Sequence, residues 1–179
     1  MGTQSDLLAA FIKSSGKVDF ETVYRTELPR VYNFFRYRVG DDQLAEDLTA
    51  ETFERAWRHR ERYRYHLASF STWLFTIARR IATDHFRKRR LNLPLEEAKH
   101  VADPQNLEET AQQRAEFADL AKLLARLAER ERELVALKYG AGLTNRAIAR
   151  LSGLSESNVS TILHRLTQQL RAQMENQDE

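Results

Sequence analysis

The chain has 179 residues with 28 basic and 26 acidic side chains, a net charge of only +2. Overall charge therefore selects no partner, and where the charges cluster matters more. Hydrophobic residues at 42% and charged residues at 30% describe a foldable chain rather than a disordered one, sized for one large or two small domains. The absence of cysteine excludes disulfides, thiol catalysis and thiolate metal sites. No apolar run is long enough to span a bilayer and the N-terminus lacks a signal-peptide core, so the expected compartment is the cytoplasm. Three prolines and six glycines leave little room for the turns of an all-β fold. The expected fold class is all-α.

Residues 1–18 read as a leader in which Leu7, Leu8, Phe11 and Ile12 make an amphipathic turn or two before Ser14-Ser15-Gly16. From Asp19 as N-cap, a helix runs through Phe20, Val23, Tyr24, Leu28, Val31, Phe34 and Phe35. Pro29 inside it is expected to kink it or divide it. A second helix, about Asp42 to His59, carries Leu44, Leu48, Phe53 and Trp57, with acids in its first turn matching the positive helix end. Its edge offers Asp47, Glu51 and Glu54, readable as simple charge matching or as a dock for a basic partner.

After a loop from Tyr63 to Ser69, a helix spans Phe70 to Arg90. Trp73, Leu74, Ile77, Ala78 and Ile81 share one face at spacings of three and four. Arg79, Arg80, Asp84, Arg87 and Lys88 lie outside or beside that stripe. Tyr63, Tyr65, His66 and Phe70 precede it. Cations beside rings suit a surface that grips phosphates and stacks unpaired bases; the competing reading is that the rings are core and the charges a solvated face. Three such helices are expected to close one core by about residue 90, giving a domain at 19–90.

Residues 91–112 hold two of the three prolines and are net acidic with poor periodicity, the composition of a linker. A second domain, 113–175, follows with a helix through Phe117, Leu120, Leu123, Leu124 and Leu127, then Glu129 to Tyr139, stopped by Gly140-Ala141-Gly142. Thr144 caps a short helix with Ala147, Ile148 and Leu151 inward. Ser152-Gly153-Leu154 turns the chain, and Ser155 caps a last helix with Val159, Ile162, Leu163 and Leu166 inward. Two capped helices joined through a glycine turn form a helix-turn-helix, whose second helix enters the major groove. Its outward set is Glu156, Ser157, Asn158, Ser160, Thr161, His164 and Arg165, flanked by Arg146 and Arg150. Asn pairs with adenine, Ser and Thr meet bases or phosphates, and a front so poor in cations predicts weak binding without a partner.

In this order the segments resemble an extracytoplasmic-function (group IV) RNA polymerase sigma factor of the sigma-70 family, over most of residues 19–173. AEDLTAETFERAW (Ala45 to Trp57) is similar to the family's polymerase-binding helix. FSTWLFTIARRIATDHFRKRR is similar to its promoter-melting, −10-reading helix, and the C-terminal helices are similar to its −35 reader. The resemblance implies that Asp47, Leu48, Glu51 and Phe53 bind the β′ clamp helices of core RNA polymerase. It implies that Tyr63, Tyr65, His66, Ser69 and Phe70 capture a flipped −10 base, with Arg79, Arg80, Asp84, Arg87 and Lys88 also on −10 DNA. It assigns Arg146, Ser155, Ser157, Asn158, Ser160, Thr161, His164 and Arg165 to −35 DNA. It further implies a contact with the polymerase β flap, promoter DNA as ligand and an anti-sigma partner. Ala50, Arg80, Ser160 and Ile162 depart from the residues frequent at those positions.

Two rival readings exist. A stand-alone helix-turn-helix regulator accounts for residues 113–173 but leaves the Phe70 to Arg90 helix without a role. A metal-dependent nuclease would have to use Asp41, Asp42, Asp47 and Glu51, yet no metal-ligand spacing with His and no glycine-rich phosphate loop is present. No metal, cofactor or catalytic residue is expected, nor insertion into a membrane.

Overall fold

The computed structural model describes residues 20–91 and 110–176. The leader, the Asp19 cap and linker residues 92–109 lie outside the described residues. Helix α1, Phe20–Val39, runs unbroken through Pro29, so the proline does not divide it. It buries Val23, Glu27, Val31, Phe34, Phe35 and Arg38 at helical spacing. Asp41 caps α2, Asp42–Arg58, by accepting from Leu44 N. A single 3₁₀ turn, Arg60–Arg62, leads to the loop, and α3 spans Phe70–Leu91. Phe34 packs edge-on against Phe35 and Phe75 at 5.2 and 5.7 Å between centroids, a geometry favoured by the ring quadrupoles.

The second half begins two residues earlier than periodicity suggests. Thr110 and Gln113 form a capping box, each satisfying an orphan donor of the other's turn, so α4 spans Ala111–Ala125. Helix α5, Glu129–Val135, widens into a π turn over Ala136–Gly140, with Ala141 N donating to Ala136 O at 2.8 Å. The expected caps are in place: Thr144 accepts from Ala147 N before α6, Asn145–Ser152, and Ser155 accepts from Asn158 N before α7, Glu156–Glu175. Gly153 between them has φ +71, the left-handed conformation a glycine adopts without strain.

The described residues contain helices and no strand, as an all-α fold requires. The helices of residues 20–91 bury part of their apolar surface against residues 110–176. One buried cluster runs from Val23 through Ile81 and Leu123 to Leu170, and α1 packs directly against the π turn. Gly140 makes that approach feasible, since a Cβ there would lie 2.7 Å from Asn33 O and 3.1 Å from Phe34 Cα. Both facing groups are backbone.

Candidate nucleic-acid interface

The loop before α3 is fastened at both ends. Tyr63 donates its hydroxyl to Ala68 O at 3.1 Å, and its ring packs at 5.3 and 5.4 Å from Phe70 and Trp73. Ser69 accepts from Thr72 N at 3.2 Å and pairs with the Thr72 hydroxyl at 2.9 Å, so it caps α3. Between these anchors Tyr65 and His66 stand edge to face at 5.6 Å and are exposed, Tyr65 to 57% and neighbouring Leu67 to 77%. Among the ring residues singled out from the sequence, Tyr65 and His66 face solvent. Phe70 is buried at 6% and Tyr63 is half-buried: these two support the loop and do not line its open face. Leu67 was missed, because an apolar residue in a loop carries no periodicity.

The cations of α3 divide likewise. Arg80 and Lys88 are exposed, and Arg87 is exposed and pairs with Asp84 at 3.1 Å. Arg79 is turned inward. It grips both carboxylate oxygens of Glu133 at 3.0 Å and donates its remaining arm to Leu151 O. A bidentate pair that is largely sheltered is a strong, directional contact. Arg79 therefore joins the halves in this arrangement and is not presented to solvent.

On α2, Asp47 is exposed, while Glu51 and Glu54 pair with Arg55 and Arg58, each at 2.5 Å. Leu48 and Phe53 are buried at 5% each, with Tyr24 edge-on to Phe53 at 4.7 Å. They hold α2 on α1 and do not form an outward contact face. Trp57 at the end of α2 is 50% exposed with Arg60 stacked 4.1 Å over it. Its spacing in the sequence assigns it to the apolar stripe of α2, but the structure leaves it half open to solvent.

The helix-turn-helix presents Ser157, Asn158, Ser160, Thr161, His164 and Arg165, all exposed, with Ser155 and Arg146 beside them. Several are engaged locally. Arg146 faces Glu156 at 3.5 Å, Arg165 pairs with Glu131 at 2.5 Å, and Thr161 donates to Ser157 O at 3.0 Å. His164 and Gln168 approach at 3.1 Å. Ser157, Ser160 and the Asn158 amide remain as the polar groups best able to meet base edges. Glu156 is balanced by Arg146, which reduces the repulsion an unpaired acid would exert on phosphate. No cluster of His, Asp and Glu suited to a metal occurs among the described residues. No helix among them is long and apolar enough to cross a membrane.

Residues 23–91 match the Sigma-70 region 2 family and residues 117–170 match the Sigma-70 region 4 family. The ECF RNA polymerase sigma factor BldN of Streptomyces coelicolor is 32% identical over 87% of this chain, which spans 61% of that protein. The ECF RNA polymerase sigma factor SigX of Bacillus subtilis is 30% identical, covering 87% of this chain and 84% of its own. A solved structure of the sigma factor RpoE from Bartonella quintana, bound to the anti-sigma factor NepR, shares the fold with a TM-score of 0.69 at 22% identity, covering 88% of this chain and 97% of that one. The chain belongs to the extracytoplasmic-function RNA polymerase sigma factors of the sigma-70 family, alternative sigma factors that direct transcription from their promoters.

Proposed function

We propose that the chain docks on core RNA polymerase through the outward edge of α2, with Asp47 and Glu51 meeting the β′ clamp helices and Leu48 and Phe53 setting the helix in place. Residues 113–175 act as a −35-reading domain beside the β flap, with Ser157, Asn158 and Ser160 at base edges and Arg146, His164 and Arg165 at backbone. Residues 19–90 act as the −10 domain. Tyr65 and His66 trap an extruded base, Tyr63, Ser69 and Phe70 brace the loop, and Arg80, Arg87 and Lys88 supply the phosphate contacts, with Asp84 orienting Arg87.

No covalent chemistry is involved, and the work is done in the cytoplasm, where polymerase and promoter are. Stacking one base contributes about 1–3 kcal/mol against a few kcal/mol for unstacking and unpairing it. Trapping is close to balanced, so polymerase contacts and the cationic helix must share the opening.

What supports this reading is one pairing of features. A loop offering two solvent-facing rings and a doubly capped helix-turn-helix occur in the same chain. A stand-alone regulator has no use for the first. An anti-sigma factor covering the polymerase-facing surface is the expected antagonist, by analogy with RpoE and NepR. The test is a pull-down of bacterial core polymerase with the purified chain, followed by strand opening on candidate promoters. Stoichiometric capture and opening are expected; tight duplex binding without polymerase capture would transfer the case to a stand-alone regulator.

A further inference from the structure

Between the end of α3 and the turn that joins α4 to α5 lies a cleft of about 380 Å³, lined by Phe86, Arg89, Arg90, Leu127, Glu129 and Arg132. That is the lower end of the size range of small-molecule pockets, about 300–1,000 Å³. Its walls differ in kind. Phe86, whose ring is covered by Arg38 at 4.8 Å, and the buried Leu127 form an apolar side. The other side is cationic and short of counter-charge. Glu129, the one carboxylate in the lining, is already divided between Arg90 at 2.5 Å and Arg38 at 3.7 Å. The next carboxylate, Glu133, is held by both arms of Arg79. Arg132 donates to carbonyls: Ala125 O at 2.7 Å, Leu127 O at 3.3 Å and Arg38 O at 3.4 Å. Its buried Nε has no partner. Arg89 is exposed and forms no ion pair among the described residues. The cations feel one another. Burial pulls the Arg132 guanidinium below its usual range, Glu129 opposes, and Arg89 adds to the fall.

Like charges gathered at a half-buried cleft cost free energy until an anion enters. We propose that this cleft binds a nucleotide, with its phosphates on Arg89 and Arg90 and its base against Phe86 and Leu127. Guanidinium forks match phosphate oxygens two at a time, and Arg89 and Arg90 are the lining cations whose side chains are exposed. Arg132 stays on its carbonyls and contributes field rather than contact. The apolar wall selects a nucleotide over inorganic phosphate, which would leave Phe86 and Leu127 unused. None of the lining residues belongs to the sets assigned to −10 or −35 DNA, so the site goes beyond the promoter-reading function and does not depend on it.

The test is isothermal titration calorimetry on the full chain at low salt. ADP and GDP are titrated, and adenosine, inorganic phosphate and a single-stranded DNA oligomer are the comparisons. At least one diphosphate is expected to bind with a single site per chain. Inorganic phosphate should bind about ten-fold more weakly for want of the base contact, and adenosine should be silent. Arg89→Glu should weaken the nucleotide by about ten- to a hundred-fold, because it replaces a charge-assisted hydrogen bond with a like charge. Arg171→Glu, at an exposed position on α7, makes the same change of net charge and should bind as the parent does. Neither substitution removes a buried side chain, and circular dichroism melting checks that both variants fold. Silence from both diphosphates, inorganic phosphate binding as tightly as the nucleotide, or equal losses in the two variants would overturn the proposal. DNA binding that falls in Arg89→Glu while both diphosphates stay silent would also overturn it, and would give these cations to the DNA backbone.

Discussion

Tyr65 and His66 owe their availability to neighbours that are not themselves available. The Tyr63 hydroxyl bond and the Ser69 cap fix the loop ends, so the ordering entropy of the two exposed rings is already reduced before a base arrives. Tyr65→Ala with His66→Ala should lower open-complex formation by ten- to a hundred-fold, from about 1–3 kcal/mol per lost stack, while closed-complex formation changes little. Equal losses in both would remove the trapping role. Asp47→Arg should abolish capture of core polymerase, because an exposed carboxylate with no ion pair among the described residues becomes a like charge facing a basic partner; unchanged capture would sink that docking assignment. His85 reports on the fold itself. Burial, then Arg89, pulls its imidazole below the ordinary value, with Glu51 opposing and Lys88 adding to the effect. The unfolded chain takes up the proton near pH 6.5 while the folded one resists. The stability His85 confers is thus present above that pH and lost as pH falls through the lowered folded value. Urea midpoints measured at about pH 7.5 and 5.5 should converge in His85→Gln relative to the parent; an unaltered difference would mean other groups set it.

At the scale of elements, the helix-turn-helix depends on two local devices and the junction on one. Ser155→Ala removes the acceptor for Asn158 N and should cost about 1 kcal/mol. Gly153→Ala meets no atom within 4 Å, so its cost is purely that of the left-handed backbone, about 1–2 kcal/mol. Urea unfolding of each variant checks both numbers, and a neutral Gly153→Ala would mean the turn relaxes to another conformation. The π turn does something no regular helix would at that place. Its extra residue directs the Ala141 carbonyl to Arg30 and sets Gly140 against α1. Inserted turns of this kind recur at functional positions. Pro29 withholds a backbone donor, yet the residues around it keep one buried face from Val23 to Arg38, and packing along that face carries the helix through.

For the whole molecule, a single buried cluster spanning both halves predicts one cooperative unfolding transition at low salt. Loosening the junction by Gly140→Ala should split it into two, followed by circular dichroism and by tryptophan fluorescence, since both tryptophans lie before residue 91. Coincident transitions in the variant would show that the halves stay coupled without the close backbone approach. Burial pulls the Arg38 guanidinium below its usual range, with Glu133 and Glu129 counteracting. Its Nε has no hydrogen-bond partner. A cation held so dry with one donor unmet is costly to bury.

What the sequence determined by itself was whatever depends on near neighbours. The caps at Thr144 and Ser155 act over three residues, the αL turn at Gly153 over one, and the stripe of Leu74, Ala78 and Ile81 over a single helix face. The all-α class, the helix-turn-helix and the family were therefore readable from the sequence alone. Tertiary structure decided what depends on distant partners. Phe70, Leu48 and Phe53 carry spacing equally suited to a contact face or a core, and only the packing of α1 against α2 and α3 buries them. Arg79 looks from sequence like any outward cation, and Glu133 sits 54 positions away. An ion pair between separated segments leaves no periodic trace in either, so the junction that joins the two halves became visible only in three dimensions.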